Sequence, residues 1–139
     1  MVDHASLLER AREAAEHAYA PYSDFPVGAA VLSADGTIYT GCNVENASYG
    51  LTLCAERNAT TTMIAHLDPS DSAGRRIDTV AIVGLNAAPC WPCGACRQVL
   101  REFGCTTVVV EDEKGEPLSL NFDTLLPYSF GPEHLSKEA

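Results

Sequence analysis

The sequence has no long hydrophobic run and no export signal, and both absences narrow the range of possible functions. No apolar stretch approaches the roughly 20 residues that a membrane-spanning helix needs, so no membrane contact is expected. The opening residues, Met1-Val2-Asp3-His4, lack the basic and apolar regions of a signal peptide. We therefore expect a cytoplasmic protein, whose thiols stay reduced.

Positive charge is also scarce. Nine Lys and Arg residues stand against nineteen Asp and Glu residues, which leaves a net charge of −10. A polyanion would be repelled over most of such a surface. The pairs Arg75-Arg76 and Arg97/Arg101 are too few to form a track for phosphates. The charge balance argues against a nucleic-acid partner and favours a small, neutral substrate.

What the sequence does contain is typical of one α/β domain. The chain has 139 residues, of which 46% are hydrophobic, enough for a single domain over residues 1–139 with its own core. The pattern predicts the order α-β-β-α-β-α-β-β-α. Val80-Ala81-Ile82-Val83 is a near-continuous apolar run, which suits a strand covered on both faces. Helices interspersed with strands favour one sheet with helices on both faces.

Local signals predict where the helices begin and end. Ser6-x-x-Glu9 resembles a capping box at the start of the first helix. The second helix is expected to begin at Cys54, and Pro92 is expected in the first turn of the third. Leu125-Leu126-Pro127 suggests a last helical turn.

The cysteines are the most informative residues. Cys54-Ala55-Glu56 is followed by Pro92-Cys93-Gly94-Ala95-Cys96. Three thiolates can hold a zinc ion and leave its fourth position open. The carboxylate of Glu56 could move protons at that open position. Both ligand groups are predicted at helix N-termini, where the helix dipole favours ionised thiols.

A site of three thiolates also needs positive compensation. Their combined charge exceeds that of zinc and would weaken its effect on a bound water. Besides the two helix N-termini, Arg57 or Arg97 could donate hydrogen bonds to thiolate sulfur. We expect Arg57 to tune the charge of the zinc site in this way.

Other functions for these cysteines have to be weighed. A closed structural zinc site would take a fourth ligand from the remaining candidates, which are Cys42, His66, Cys90 and Cys105. Cys54 could instead be a small buried residue. Cys90-Trp91-Pro92-Cys93 has the spacing of a thioredoxin-type redox pair. The C-x2-C spacing alone is therefore ambiguous.

The glutamate resolves the ambiguity. Zinc nucleobase deaminases combine a ligand, one intervening residue, a glutamate that is not a ligand, and a later P-C-x-x-C. Cys54, Glu56, Pro92, Cys93 and Cys96 reproduce that pattern. The pattern predicts a deaminase with zinc ligands Cys54, Cys93 and Cys96 and with Glu56 as the proton-transferring residue.

Almost the whole chain resembles the small, homotetrameric cytidine deaminases. The resemblance implies a three-layer α/β/α sandwich around a five-stranded mixed sheet, with one zinc ion per subunit. It also implies hydrolysis of cytidine and 2′-deoxycytidine to the uridines in pyrimidine salvage. The segments that carry it are Ala20-Pro21-Tyr22-Ser23, Phe25 to Ala30, Gly41 to Asn46, Cys54 to Arg57, Pro92 to Val99 and Leu125 to Phe130.

The resemblance extends to the substrate pocket. It implies that Asn43 and Glu45 bind the ribose and that Phe25 packs against the pyrimidine. Ala55 belongs to the same substrate-binding set. Tyr49 and Phe130 are expected at subunit boundaries, where Phe130 reaches a neighbour's active site.

The pocket residues also have simpler interpretations. Asn43 could merely satisfy loop backbone, Glu45 could be a solvated charge, and Phe25 could be ordinary packing. Four competing functions remain for the chain as a whole. Two share the chemistry, namely deamination of a different aminated ring and editing of a nucleic acid, against which the acidic charge argues. The other two are a zinc-stabilised binding module and a redox protein that uses Cys90 and Cys93.

Overall fold

The helices and strands follow the predicted order up to the last strand, after which short 3-10 turns replace the predicted last helix. The computed structural model describes residues 2–135, and all statements below concern that part. Its helices are α1 (His4–Ala15), α2 (Ala55–His66) and α3 (Gly94–Glu102). Its strands are β1 (Val27–Ser33), β2 (Ile38–Cys42), β3 (Ile77–Gly84), β4 (Thr107–Glu111) and β5 (Pro117–Asn121). Short 3-10 turns cover Tyr49–Leu51, Phe122–Thr124 and Pro132–His134.

The strands form one mixed sheet in the order β2-β1-β3-β4-β5. β3 and β4 pair in parallel, and the other neighbouring pairs are antiparallel. β3 is central, and seven of its eight residues are buried, as its continuous apolar sequence predicts. The five-stranded mixed sheet is confirmed.

The two faces of the sheet carry different helices. Side chains on a strand point alternately to opposite faces, and β3 shows this clearly. Ala81 and Val83 pack with Leu7 and Ala11 on the α1 side. Val80 and Ile82 belong to the other core cluster, which also takes residues from α2 and α3, namely Ala55, Ala59, Met63 and Leu100. The predicted three-layer α/β/α sandwich is confirmed.

Two glycines let the helices lie close to the sheet. A Cβ atom at Gly28 would overlap the backbone of α1 at Ala11 and Ala15. A Cβ atom at Gly41 would overlap the backbone of α2 at Asn58 and Ala59. These contacts set how closely each helix approaches, and the second one anchors the helix that begins at Cys54.

Three local predictions were wrong. α1 begins at His4, because the side chain of Asp3 accepts a hydrogen bond from the Ser6 amide at 2.7 Å and caps the helix in place of Ser6. Pro92 lies before α3 rather than in its first turn, since Cys93 is the N-cap. The turn expected at Leu125 to Pro127 forms earlier, at Phe122–Thr124.

The described helices are also too short and too polar to cross a membrane.

Candidate metal centre and active site

Three cysteine sulfurs meet where two helices begin. Cys54 is the N-cap of α2 and Cys93 is the N-cap of α3, and their sulfurs lie 3.8 Å apart. Cys96, in the first turn of α3, brings a third sulfur, and all three lie within 4.8 Å of one another. The parallel pairing of β3 and β4 and the packing of α2 beside α3 thus bring residues distant in sequence to one point.

One positive side chain, that of Arg57, lies beside the cluster. Arg57 donates from Nη2 to the sulfur of Cys54 at 3.4 Å and to the carbonyl of Thr52 at 3.2 Å. Hydrogen bonds from the Cys96 thiol and from Arg57 lower the pKa of Cys54. The pKa of Cys96 is raised, because it donates to Cys54 and is buried beside that charge. The surroundings of Cys54 therefore favour its ionised form.

Arg97 does not serve the cluster. Its Nε donates to the carbonyl of Pro92 and its Nη1 to the carbonyl of Leu125, both at 2.8 Å. Of the two arginines proposed from the sequence, only Arg57 contacts a cysteine sulfur.

The cluster offers three protein ligands, the number typical of a catalytic zinc site with one open position. Within residues 2–135, no fourth Cys, His, Asp or Glu side chain joins the three cysteines. His66 ends α2, so that it lies about 18 Å along the helix from Cys54. Cys105 is buried beyond the other end of α3, and Cys90 packs partly buried against the core. Three soft sulfur donors with a cation at one of them suit zinc, with one position left for water or substrate.

Glu56 is the buried carboxyl group beside the cluster. It is the second residue of α2 and is 5% exposed. Burial, and then the negative charge of Cys54, raise the pKa of Glu56 to about 7. A carboxyl group with such a pKa can both accept and release a proton near neutral pH. The position of Glu56 therefore suits acid/base chemistry at the open side of the metal.

The predicted sugar-binding residues lie next to the metal cluster. Val44 and Leu53 form an antiparallel bridge with two backbone hydrogen bonds of 2.9 Å. The direction of this bridge sets Asn43 opposite Cys54. Glu45, which follows Val44, lies opposite Thr52.

Asn43 is engaged by backbone. Its Oδ1 accepts from the Val27 amide, and its Nδ2 donates to the Phe25 carbonyl, both at 2.9 Å. The simpler interpretation, that Asn43 satisfies loop backbone, thus describes what the side chain does in the free protein. Its second amide proton and its remaining lone pair are still available to a ligand.

Glu45 is held by the loop before β1. One of its oxygens accepts from the amides of Tyr22 and Ser23, at 2.9 and 3.1 Å. The other accepts from the hydroxyl of Ser23. These bonds, the Ser23 hydroxyl foremost, lower the pKa of Glu45. Glu45 is therefore a fixed carboxylate and not a freely solvated charge.

Ser23 is the residue that sequence reasoning missed. Its hydroxyl donates to Glu45 and accepts from the amide of Phe25 at 3.1 Å. It thereby links two predicted substrate residues. The only signal in the sequence was its place in Ala20-Pro21-Tyr22-Ser23, where a serine after a proline is typical of turns.

The aromatic residues divide into two groups. Phe25 is half-buried, and its backbone contacts Asn43. Tyr49 is 74% exposed and packs edge-on against Tyr22. Phe130 is 56% exposed and stacks on His134 with a centroid distance of 5.1 Å. Ala55 is fully buried between Cys54 and Glu56. The structure thus places Asn43 and Ala55 beside Cys54 and links Phe25 to Asn43, whereas Tyr49 and Phe130 are largely exposed.

A sheet of this topology, with three cysteines and a buried glutamate at two helix N-termini, defines a zinc-dependent deaminase. The chain belongs to the cytidine and deoxycytidylate deaminase family. The family model for the cytidine and deoxycytidylate deaminase zinc-binding region matches residues 1–112. The membership makes the chain a hydrolase and confirms zinc as its cofactor.

Several relatives match nearly the full chain. A cytidine deaminase of Sporosarcina psychrophila is 44% identical over 99% of this chain and 98% of its own. The crystal structure of a cytidine deaminase from Burkholderia pseudomallei has a TM-score of 0.79 at 45% identity, covering 94% of this chain and all of that one. The crystal structure of the Mycobacterium tuberculosis cytidine deaminase gives 0.77 at 42% identity, covering 94% of this chain and 99% of that one.

Proposed function

We propose that the protein hydrolyses cytidine and 2′-deoxycytidine to uridine and 2′-deoxyuridine, releasing ammonia. The observation that carries the proposal is the buried carboxyl group of Glu56 beside a three-sulfur cluster with room for a further ligand. A purely structural zinc site has no need of such a carboxyl group. The names of the relatives at more than 40% identity support the choice of substrate.

In this proposal, Cys54, Cys93 and Cys96 bind the zinc ion. Zinc held there supplies a Lewis acid that makes water a nucleophile at neutral pH. Arg57 and the N-termini of α2 and α3 offset the charge of the sulfurs, since Arg57 donates to Cys54.

Glu56 moves the protons. It accepts a proton from the attacking water and donates it to ring N3, while the oxygen forms a bond to C4. It then carries the second proton of that oxygen to the amino group. The C4–N bond breaks, ammonia leaves, and a C4 carbonyl remains. One water is consumed for each ammonia released, and Glu56 returns to its starting state.

The sugar side of the pocket suits a neutral nucleoside. A cavity of about 240 Å³ is lined by Tyr22, Ser23, Glu45, Tyr49 and Thr52. Its lining contains the fixed carboxylate of Glu45 and no basic side chain, so it offers acceptors for sugar hydroxyls and no cation for a phosphate. We assign Asn43 and Glu45 to the ribose, and Phe25 with Ala55 to the pyrimidine.

The exposed aromatic residues support a shared pocket. Phe130 and Tyr49 are each largely exposed, and Tyr49 packs against a second exposed aromatic residue, Tyr22. Exposed apolar patches are typical of interaction surfaces. We assign Tyr49 and Phe130 to contacts between subunits of a homotetramer, in which Phe130 closes a neighbour's pocket. The corresponding cellular role is cytoplasmic pyrimidine salvage.

The test is nucleoside turnover on protein of measured zinc content. We expect absorbance changes typical of deamination with cytidine and 2′-deoxycytidine, and much weaker turnover of deoxycytidylate. Glu56→Gln should keep its zinc and lose about 10²–10⁴-fold in kcat, because an amide cannot carry a proton. Glu113→Gln, at an exposed turn residue, is the matched control and should behave like the parent protein.

Two results would contradict the proposal. Ordinary activity in Glu56→Gln would exclude the proton-transfer role of Glu56. A full zinc complement without deamination of any aminated pyrimidine would instead favour a zinc-stabilised binding module.

A further inference from the structure

We propose that Arg101, together with Gln98, is a positioning residue that holds the C-terminal tail so that Phe130 is presented to a neighbouring subunit. This inference rests on the proposed function in one respect, the role of Phe130 in a neighbour's pocket. The holding of the tail itself rests on contacts within one chain.

One face of α3 binds the tail through side chains. Gln98 donates from Nε2 to the Phe130 carbonyl at 2.9 Å. Arg101 donates from Nε to the Ser129 hydroxyl at 2.7 Å and from its two terminal nitrogens to the carboxylate of Glu133. Arg97 adds its bond to the Leu125 carbonyl. Positions 97 and 101 are one helical turn apart, so these side chains lie along one side of the helix.

The C-terminal tail, residues 126–135, has few backbone hydrogen bonds in its first half. In the described part of the chain, the backbone of residues 126–130 makes no hydrogen bond to another backbone group. Its direction therefore depends on the side chains of α3. A guanidinium group suits this task, because its planar fork can contact Ser129 and Glu133 at once.

Gly131 shows how closely the tail lies on Arg101. A Cβ atom at this position would overlap the guanidinium carbon and both terminal nitrogens of Arg101. The φ angle of Gly131 is −147°, which any residue can adopt, so the reason for glycine here is space. The backbone of residue 131 thus rests directly on the guanidinium group.

The contacts hold the residues around Phe130, and its ring, stacked on His134, still faces solvent. Ser129, Gly131 and Glu133 are held by Arg101, and the Phe130 carbonyl is held by Gln98. The ring itself is more than half exposed. This is the arrangement needed to present an aromatic side chain in a defined direction to another chain.

The same helix carries two zinc-site cysteines. Cys96 and Arg101 are five residues apart on α3, about 7.5 Å along its axis. Helix α3 therefore fixes the position of Phe130 relative to the metal cluster of the same subunit. In an oligomer, this would link the geometry of one zinc site to the pocket of the next.

The first measurement is independent of activity. Chymotrypsin cleaves after Tyr128 and Phe130, and mass spectrometry locates the cuts. We expect Arg101→Ala to be cut there roughly tenfold faster than the parent, a factor equivalent to one or two net hydrogen bonds. Arg12→Ala is the matched control, because it removes an exposed arginine paired with Glu111 on the other face of the sheet. Equal cutting of Arg101→Ala and Arg12→Ala would overturn the proposal.

The second measurement is a double-mutant cycle on cytidine turnover. Arg101→Ala should raise KM roughly tenfold with a smaller change in kcat and with unchanged zinc content. In a protein that already carries Phe130→Ala, the further change Arg101→Ala should alter KM little, because both substitutions act through the Phe130 ring. Additive effects on KM would show that Arg101 does not act through Phe130.

A steric variant tests the same contact from the other side. Gly131→Ala puts a methyl group against the flexible guanidinium of Arg101, which must shift relative to Ser129 and Glu133, so it should reproduce part of the KM effect; parent-like KM and cutting would count against the proposal. Arg101→Lys should recover only part of the loss, since an ammonium cannot span both partners. If the parent itself turns over no nucleoside, the proposed function fails, and the cleavage experiment alone decides whether Arg101 holds the tail.

Discussion

The metal cluster and the substrate loops of this protein are built in different ways. The cluster sits on two helix N-termini, with Cys54 and Cys93 as N-caps and Glu56 buried between helix and sheet. The substrate loops consist of irregular segments, whose side chains hold one another through Asn43, Glu45 and Ser23. Of the remaining predicted pocket residues, Tyr49 and Phe130 are largely exposed.

Because of this difference, the residues that carry out the reaction and the residues that recognise the substrate lie on separate parts of the structure. The helices that carry the cluster are anchored in the core, so the reacting groups are in place within one subunit. The recognition groups depend on hydrogen bonds in loops and on a tail that faces outward. We therefore expect damage to the cluster to abolish turnover, and damage to the loops to change substrate affinity while the chemistry persists.

The strongest test of this contrast removes a zinc ligand. Cys93→Ser and Cys96→Ser should lose bound zinc, because a serine hydroxyl does not ionise at neutral pH as a thiol does. The loss of kcat should exceed the roughly 10²–10⁴-fold expected for an acid/base residue, since the nucleophile is lost as well. Zinc content by metal analysis and cytidine turnover are measured on the same samples.

Cys90→Ser is the matched control for the ligand variants. Cys90 has C-x2-C spacing to Cys93 but lies outside the three-sulfur cluster and packs at Gly84. We expect this variant to keep its zinc. Zinc loss in Cys90→Ser with retention in Cys96→Ser would show that the wrong cysteine pair was assigned.

A smaller effect is expected from the arginine beside the cluster. Arg57→Ala removes the hydrogen bond to Cys54 and leaves more negative charge on the sulfurs. Groups that support metal ligands typically contribute about 10–100-fold in metal affinity or activity, and we expect a loss in that range. Zinc affinity by competition with a chelator and kcat are the measurements. Arg10→Ala, on the exposed side of α1, is the control, and an unchanged Arg57→Ala would remove the proposed role.

The same contrast explains what could be predicted from the sequence. The cluster was predictable because its residues occur in short motifs, and because an N-cap position is a local property of the chain. The central strand was predictable because β3 contains the continuous apolar run Val80 to Val83. In both cases, neighbouring residues along the chain determine the outcome.

The wrong and missed predictions have two causes. Either two residues could play the same role, or the partner of a side chain lies far away in the sequence. Asp3 and Ser6 can both cap α1, and the sequence does not show which one the fold uses. Arg57 and Arg97 both lie near a cysteine in sequence, but only tertiary packing offers Arg97 the carbonyl of Leu125. Ser23 went unnoticed because its partner, Glu45, lies 22 residues away.

Ser23 also provides the most selective test of the recognition loops. Ser23→Ala removes the hydroxyl that links Glu45 to the Phe25 amide, without touching the cluster. We expect KM for cytidine to rise roughly 3–10-fold, equivalent to about one net hydrogen bond. The value of kcat and the zinc content should stay close to those of the parent. Ser70→Ala is the matched control, since Ser70 makes a similar bond to Asp68 on a remote loop.

A substrate analogue shows whether Ser23 acts through the sugar. If Glu45 binds ribose hydroxyls and Ser23 holds Glu45 in place, the effect of Ser23→Ala requires those hydroxyls. With 2′,3′-dideoxycytidine, the parent and the variant should then have similar KM values, because the contact is already missing. A penalty that persists with the analogue would mean that Ser23 acts through Phe25 and the base instead. A fall in kcat with unchanged KM would contradict the separation of recognition from reaction, because a loop residue would then be controlling the chemistry at the cluster.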